Sequence, residues 1–151
     1  MSMLLDKIDA ELIRILQNNA RLPVKEIAQK IFLSSPASSA RIARLEKAGY
    51  IRGYTIRENE RLLGYPIKAF INVEADRKGR DEIYTAVKDN PNVVECNFVS
   101  GDFCMILTVF FEDTGRLDDL IGDIQKLGGN TKTQIVFATP IERRGVQAHI
   151  L

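Results

Sequence analysis

The spacing of apolar residues changes period part-way along the chain. In residues 4–18, Leu5, Ile8, Leu12, Ile15 and Leu16 recur at helical spacing. From Ile67 the pattern is two-residue: Ile67, Ala69, Ile71 and Val73 alternate with Lys68, Phe70, Asn72 and Glu74, as in a half-buried strand. One chain of 151 residues that reads first as helices and then as strands suggests two small folding units. The charge divides in the same place. Residues 1–65 hold 11 Lys/Arg against 7 Asp/Glu, and the remainder hold 10 against 13. A basic first part joined to an acidic second part suggests that only the first meets a polyanion, although chance asymmetry would look alike.

The first part predicts three helices. Asp6 and Asp9 suit the first turn of the first, where the helix dipole favours negative charge. A second starts at Pro23, with Val24, Ile27, Ala28 and Ile31 on its apolar face. Ser34-Ser35-Pro36 reads as a cap followed by proline, opening a third helix that runs to about Ala48 before Gly49. Three short helices joined by tight turns make a helix-turn-helix unit. At 100° per residue, Ser38, Ile42 and Leu45 of the third helix face the core. Pro36, Ala40, Ala43 and Lys47 lie opposite, flanked by Ala37, Ser39 and Arg44, with Arg41 nearer the core edge. Small outward residues let a backbone approach another surface closely. The pattern fits a recognition helix in a DNA major groove, with Ser34, Ser35 and Ser39 near the entering end and Arg41, Arg44 and Lys47 reaching phosphates. Solubilising surface charge is the alternative reading of Arg44 and Lys47. A face of Ala and Ser also predicts little direct base readout and a larger share from DNA bending.

Residues 50–65 read as a short strand and a polar connector. Beyond them come a strand from Ile67, a helix after Gly79 bearing Ile83, Tyr84 and Val87, and strands over 93–100 and 103–111 joined at Ser100-Gly101-Asp102. A helix over 115–127 and a strand over 131–139 follow. With right-handed crossovers, β-α-β-β-α-β gives an antiparallel four-stranded sheet with both helices on one face, the ferredoxin-like arrangement. The fold class expected is therefore α+β, divided as a helix-turn-helix domain (1–52), a linker (53–65) and a ferredoxin-like domain (66–151). The third strand is apolar on both faces. Its uncovered face, either Cys104, Ile106 and Phe110 or Met105, Leu107 and Val109, predicts an interface with a second copy.

The chain resembles the Lrp/AsnC (feast/famine) transcription regulators. Leu5-Asp6 with Asp9, Ile15-Leu16 and Asn19-Ala20-Arg21 look like that family's first-helix signature, and Glu26-Ile27-Ala28 like its second helix. Leu33-Ser34, Arg41-Ile42, Arg44-Leu45-Glu46, Gly49, Ile51 and Gly53-Tyr54 look like the recognition helix and the turn out of it. Gly64, Gly101, Thr131 and Thr133 look like landmarks of the second domain. The resemblance implies a winged helix-turn-helix that binds double-stranded DNA, on a domain that assembles dimers into larger rings, often octamers. It also implies an amino-acid effector site at Gly101, Asp102, Phe103, Cys104, Thr131 and Thr133. Two positions depart from the pattern: Pro23 stands where Ser or Thr often caps, and Cys104 where the family's hairpin usually carries Asp. A thiol cannot pair an ammonium as a carboxylate does. Weak or no binding of common amino acids is expected, with Asp102 holding the ammonium if a ligand binds.

Little in the sequence suggests an enzyme. No glycine-rich phosphate loop is present, because Gly128-Gly129 ends a helix. His149 is the one histidine; it and Cys96 and Cys104 are too few for a metal centre, and the cysteines read as packing residues. Asp118, Asp119 and Asp123 read as a solvated helix face. No cofactor, signal peptide or membrane span is expected, and two cysteines are too few for a disulfide framework, which places the chain in the cytoplasm. The rival to a transcription regulator is a small-molecule sensor that docks on proteins through its helices. DNA binding through phosphates weakens steeply with salt, and apolar docking need not.

Overall fold

The computed structural model describes residues 4–148; His149 lies outside them. The chain forms two compact units. One runs to Arg57 and takes in the chain again from Ile141; the other is Glu58–Pro140.

The first unit holds α1 (Lys7–Asn18), α2 (Val24–Lys30) and α3 (Ser35–Lys47). Asp6 caps α1: its carboxylate accepts the Asp9 N–H at 2.7 Å, and the Asp9 carboxylate accepts the Asp6 N–H at 3.2 Å. Each aspartate thereby satisfies one of the donors a helix start leaves open. Pro23 caps α2 with no side-chain bond. Leu12, Ile15, Ile27, Ile31 and Leu45 form the core, with Leu22, Leu33 and Ile42 packed against it. The chain from Ile141 was read from sequence as part of the second domain. It instead returns to the helices, where Gln17 Nε2 donates to the Val146 carbonyl and Arg57 pairs with Glu142.

The short strand expected in 50–65 does not form. Extended residues gain ladder hydrogen bonds only from a neighbouring strand, and no described segment pairs with this one.

The second unit contains β1 (Ile67–Glu74), α4 (Arg77–Val87), β2 (Val93–Phe98), β3 (Met105–Phe111), α5 (Thr114–Lys126) and β4 (Asn130–Ile135). The sheet order is β2-β3-β1-β4, antiparallel throughout, which is the ferredoxin-like arrangement. The fourth strand, expected to run to 139, ends at Ile135, and boundaries also moved at two other places for local reasons. Asp76 caps α4 by accepting the Gly79 N–H at 2.7 Å, so the helix begins before the glycine. Residues 99–104 form a longer hairpin loop than expected, leaving Cys104 outside β3. Ala69, Ile71 and Val73 of β1 and Met105, Leu107, Val109 and Phe111 of β3 are buried with Ile83, Val87, Leu117, Leu120 and Ile124 of the helices. Alternation puts Phe70, Ile106 and Phe110 on the opposite face, partly exposed. The uncovered face is therefore that of Ile106 and Phe110, and the Met105, Leu107, Val109 alternative is excluded. Lys68 Nζ lies 5.8 Å from the Phe70 ring centre and 5.7 Å from that of Phe110.

Candidate nucleic-acid interface

The third helix is capped at its start and exposed along one side. Ser34 caps it, its hydroxyl accepting the Ala37 N–H at 3.3 Å, and Pro36 occupies the first turn where no donor is missed. The Ser38 hydroxyl is buried and donates to the Ser34 carbonyl at 3.0 Å, so a polar group faces the core without an unmet bond. Leu45 is buried, and Ile42 half-buried beside it. Pro36, Ser39, Ala40, Ala43 and Lys47 are exposed, and Ser35 and Ala37 partly so. The helix ends at Gly49, whose φ of +80° lets the chain turn so that the N–H groups of Tyr50 and Ile51 meet the Leu45 carbonyl. Tyr54 then donates to Glu46 at 2.7 Å; burial, reinforced by that carboxylate, pushes its hydroxyl up to about 12.

The arginines do something other than expected. Arg41 and Arg44 were read as phosphate ligands. In the free chain both guanidinium groups turn inward to α1. Arg41 Nη1 donates to Asp6 and to Asp9, each at 2.7 Å, and Arg44 Nη2 bonds both Asp9 oxygens at 2.7 and 2.8 Å. Asp9 is 1% exposed. The network braces α3 against the start of α1. The Asp9 N–H holds the Asp6 carboxyl below its ordinary range, and Arg41 adds to that effect. The Asp6 and Asp9 carboxylates in turn raise Arg41. Arg41 is three-quarters covered and acts as this brace, whereas Arg44 keeps about half of its side chain exposed. Lys47 makes no ion pair among the described residues and faces solvent.

Two residues went unrecognised in the sequence. Asp9 was read as a dipole partner; its pairing with arginines more than thirty residues away leaves no local signal. Phe32, in the turn between α2 and α3, has φ +56° and is 93% exposed. The signal available was a tight helix-to-helix turn without glycine.

The expected effector residues lie at one end of the sheet. Gly101 turns the hairpin with φ +107°. The Cys104 N–H donates to the Val73 carbonyl at 2.9 Å, and Val73 is paired with Thr131 across β1 and β4. Thr131 and Thr133 stand opposite the buried Val73 and Ile71, on the helix side of the sheet. The Thr131 hydroxyl accepts from Gln125 at 3.1 Å. Asp102 is exposed in the loop, so the regular strand assumed to aim it with Cys104 is not there. Cys104 packs against the core, its thiol donating to the Val73 carbonyl at 3.4 Å. Burial, with Cys104 nearby, raises the Cys96 thiol.

A braced helix-turn-helix followed by a ferredoxin-like domain defines a DNA-binding protein of the helix-turn-helix class. The comparisons agree. A winged helix-turn-helix DNA-binding family model matches residues 5–52, and the Lrp/AsnC ligand binding domain model matches residues 68–146. The transcriptional regulator LrpA of Bacillus subtilis is 32% identical over 135 residues, covering 89% of this chain and 98% of that protein. The structure of Bacillus subtilis LrpC is similar at a TM-score of 0.86 and 26% identity, covering 93% of this chain and 100% of that one. A feast or famine regulatory protein from Mycobacterium tuberculosis, complexed with L-methionine, gives 0.86 at 27% identity, covering 95% and 99%. The chain belongs to the Lrp/AsnC family of helix-turn-helix transcription regulators. No described helix is long and apolar enough to cross a membrane.

Proposed function

We propose that this regulator binds duplex DNA in the cytoplasm with α3 in the major groove. Ser34, Ser35 and Ser39 lie at the entering end, and Lys47 and the exposed part of Arg44 reach phosphates. Arg41 positions the helix. One observation carries the reading: α3 presents a small-residue outward face while its inner side is locked to α1 by a buried aspartate and two arginines. A rigid helix of low outward profile is what close approach to a groove requires. The test is duplex binding across a salt series. Affinity should fall steeply and linearly on logarithmic axes, and a flat dependence would favour protein docking through apolar contacts.

We further propose that the open sheet face of Phe70, Ile106 and Phe110 packs on a second copy, and that these dimers build a larger ring such as an octamer. The rings are partly exposed in the single chain and lie on a continuous sheet face, as a two-fold interface needs. The similar Mycobacterium tuberculosis structure holds L-methionine, which motivates an amino-acid site at the Gly101–Cys104 hairpin with Thr131 and Thr133. Here the Cys104 thiol already serves Val73, which supports weak binding at most, with Asp102 as ammonium partner.

A further inference from the structure

The turn that launches α3 is a Schellman motif. The Leu33 N–H reaches the Ala28 carbonyl at 3.0 Å and the Phe32 N–H reaches that of Gln29 at 3.4 Å. That pair of bonds demands a left-handed residue between them, and Phe32 is that residue, at φ +56°. Glycine takes this conformation freely and asparagine tolerates it, whereas a β-carbon bearing a ring is strained there. The turn's hydrogen bonds and the packing of its neighbours hold the backbone there, but glycine or asparagine would serve them as well, and among the described residues the Phe32 ring adds no core packing of its own. Leu33 beside it and Ile31 before it pack in the core, while the Phe32 ring is 93% exposed. A large ring kept at a strained position and turned almost wholly to solvent points outside the chain.

The surroundings say what lies there. Phe32 is two residues before the cap of α3, at the end of the helix that enters the groove. The exposed side chains of the first turns of α3, Pro36, Ser39 and Ala40, are small, whereas Phe32 just before the helix carries a large exposed ring. No acidic residue occurs between Glu26 and Glu46, while Lys30, Arg41, Arg44 and Lys47 fall in or beside that span. A stretch with no acid of its own, beside Lys30, Lys47 and the exposed half of Arg44, complements a polyanion, Arg41 being held by Asp6 and Asp9. We infer that Phe32 is an apolar DNA-contact residue, its ring packing on thymine methyl groups at the major-groove edge. Thymine methyls are the groove feature an uncharged ring reads. From the turn before this helix, Phe32 supplies base-dependent contact that the helix's Ala and Ser side chains are too short to make. The inference rests on the DNA-binding reading above.

The test uses the full chain and a duplex selected by the wild-type chain from a random-sequence pool. A second duplex of the same sequence carries deoxyuridine for thymidine and so lacks the methyl groups. Phe32→Gly and Phe32→Asn both remove the ring and relieve the strain. Each should raise the thermal midpoint by roughly 2–4 °C. Each should also bind the selected duplex about tenfold more weakly and bind both duplexes alike, while the wild-type chain prefers the methylated one. A purely structural residue would not combine higher stability with weaker binding. Variants that bind as the wild type does, or a wild-type chain indifferent to the methyl groups, would overturn the assignment. So would altered sedimentation with unchanged DNA affinity, which assigns the ring to protein contact. A wild-type chain that selects no duplex would instead refute the DNA reading itself, and that is decided before any variant is made.

Discussion

Asp9 is nearly inaccessible and is held by two cations, so removing them one at a time and together should give unequal costs. In Arg44→Ala, Asp9 keeps the 2.7 Å bond from Arg41; in Arg41→Ala it keeps both bonds from Arg44. Either single loss should cost about 1 kcal/mol, the upper end for a partly exposed ion pair, because a second cation stays on Asp9. The double variant leaves a carboxylate 1% exposed with no cation beside it, a situation that costs about 4 kcal/mol. The double should therefore exceed the sum of the singles by about 2 kcal/mol. Hydrogen exchange at the buried Leu12 and Leu45 amides along a urea series reads the first unit without interference from the second. Salt-dependent DNA binding of the same variants separates the two arginines. Arg44→Ala should reduce the salt slope by about one unit, and Arg41→Ala should leave it unchanged. A double variant no less stable than additivity allows would refute the claim that α3 is held through Asp9.

The sheet makes a paired prediction: Ile106→Glu should convert the proposed oligomer to folded monomer in sedimentation, whereas Leu107→Glu, at 0% exposure between sheet and helices, should unfold the second unit. Equal behaviour of the two would argue against the open-face interface. Tyr54 should ionise near pH 12 in an ultraviolet absorbance titration. Its folded value is raised, so its stabilising contribution is full below pH 10 and is lost as pH rises through about 12; Tyr54→Phe should remove the late step. Calorimetric titration with the common amino acids should show weak binding or none. Any binding found should vanish in Asp102→Ala and survive Cys104→Ala; sub-millimolar binding that outlasts Asp102→Ala would rule out that carboxylate.

Local pattern was enough for the elements. A capping serine with a following proline, and Gly49 beyond the last helical residue, mark both ends of α3 because helix termini are decided by the few residues that meet open backbone groups. The apolar period placed β1 against its helices because burial on one face repeats every second residue. Ser38, Ile42 and Leu45 were assigned inward from angle alone, and Ser38 and Leu45 are fully buried.

What sequence spacing cannot carry is the partner of a side chain far along the chain. Arg41 and Arg44 look like free cations on a helix surface until α1 is folded beside them and supplies Asp6 and Asp9. Whether Ile106 or Leu107 faces the helices depends on a one-residue register, because both are apolar and a slip exchanges the faces. The missing strand after α3 has the same origin, since its ladder needs a neighbour that its own residues cannot specify. Phe32 is the sharpest case: its composition says core, and only the backbone between Ala28 and Leu33, closed by two hydrogen bonds, turns the ring outward.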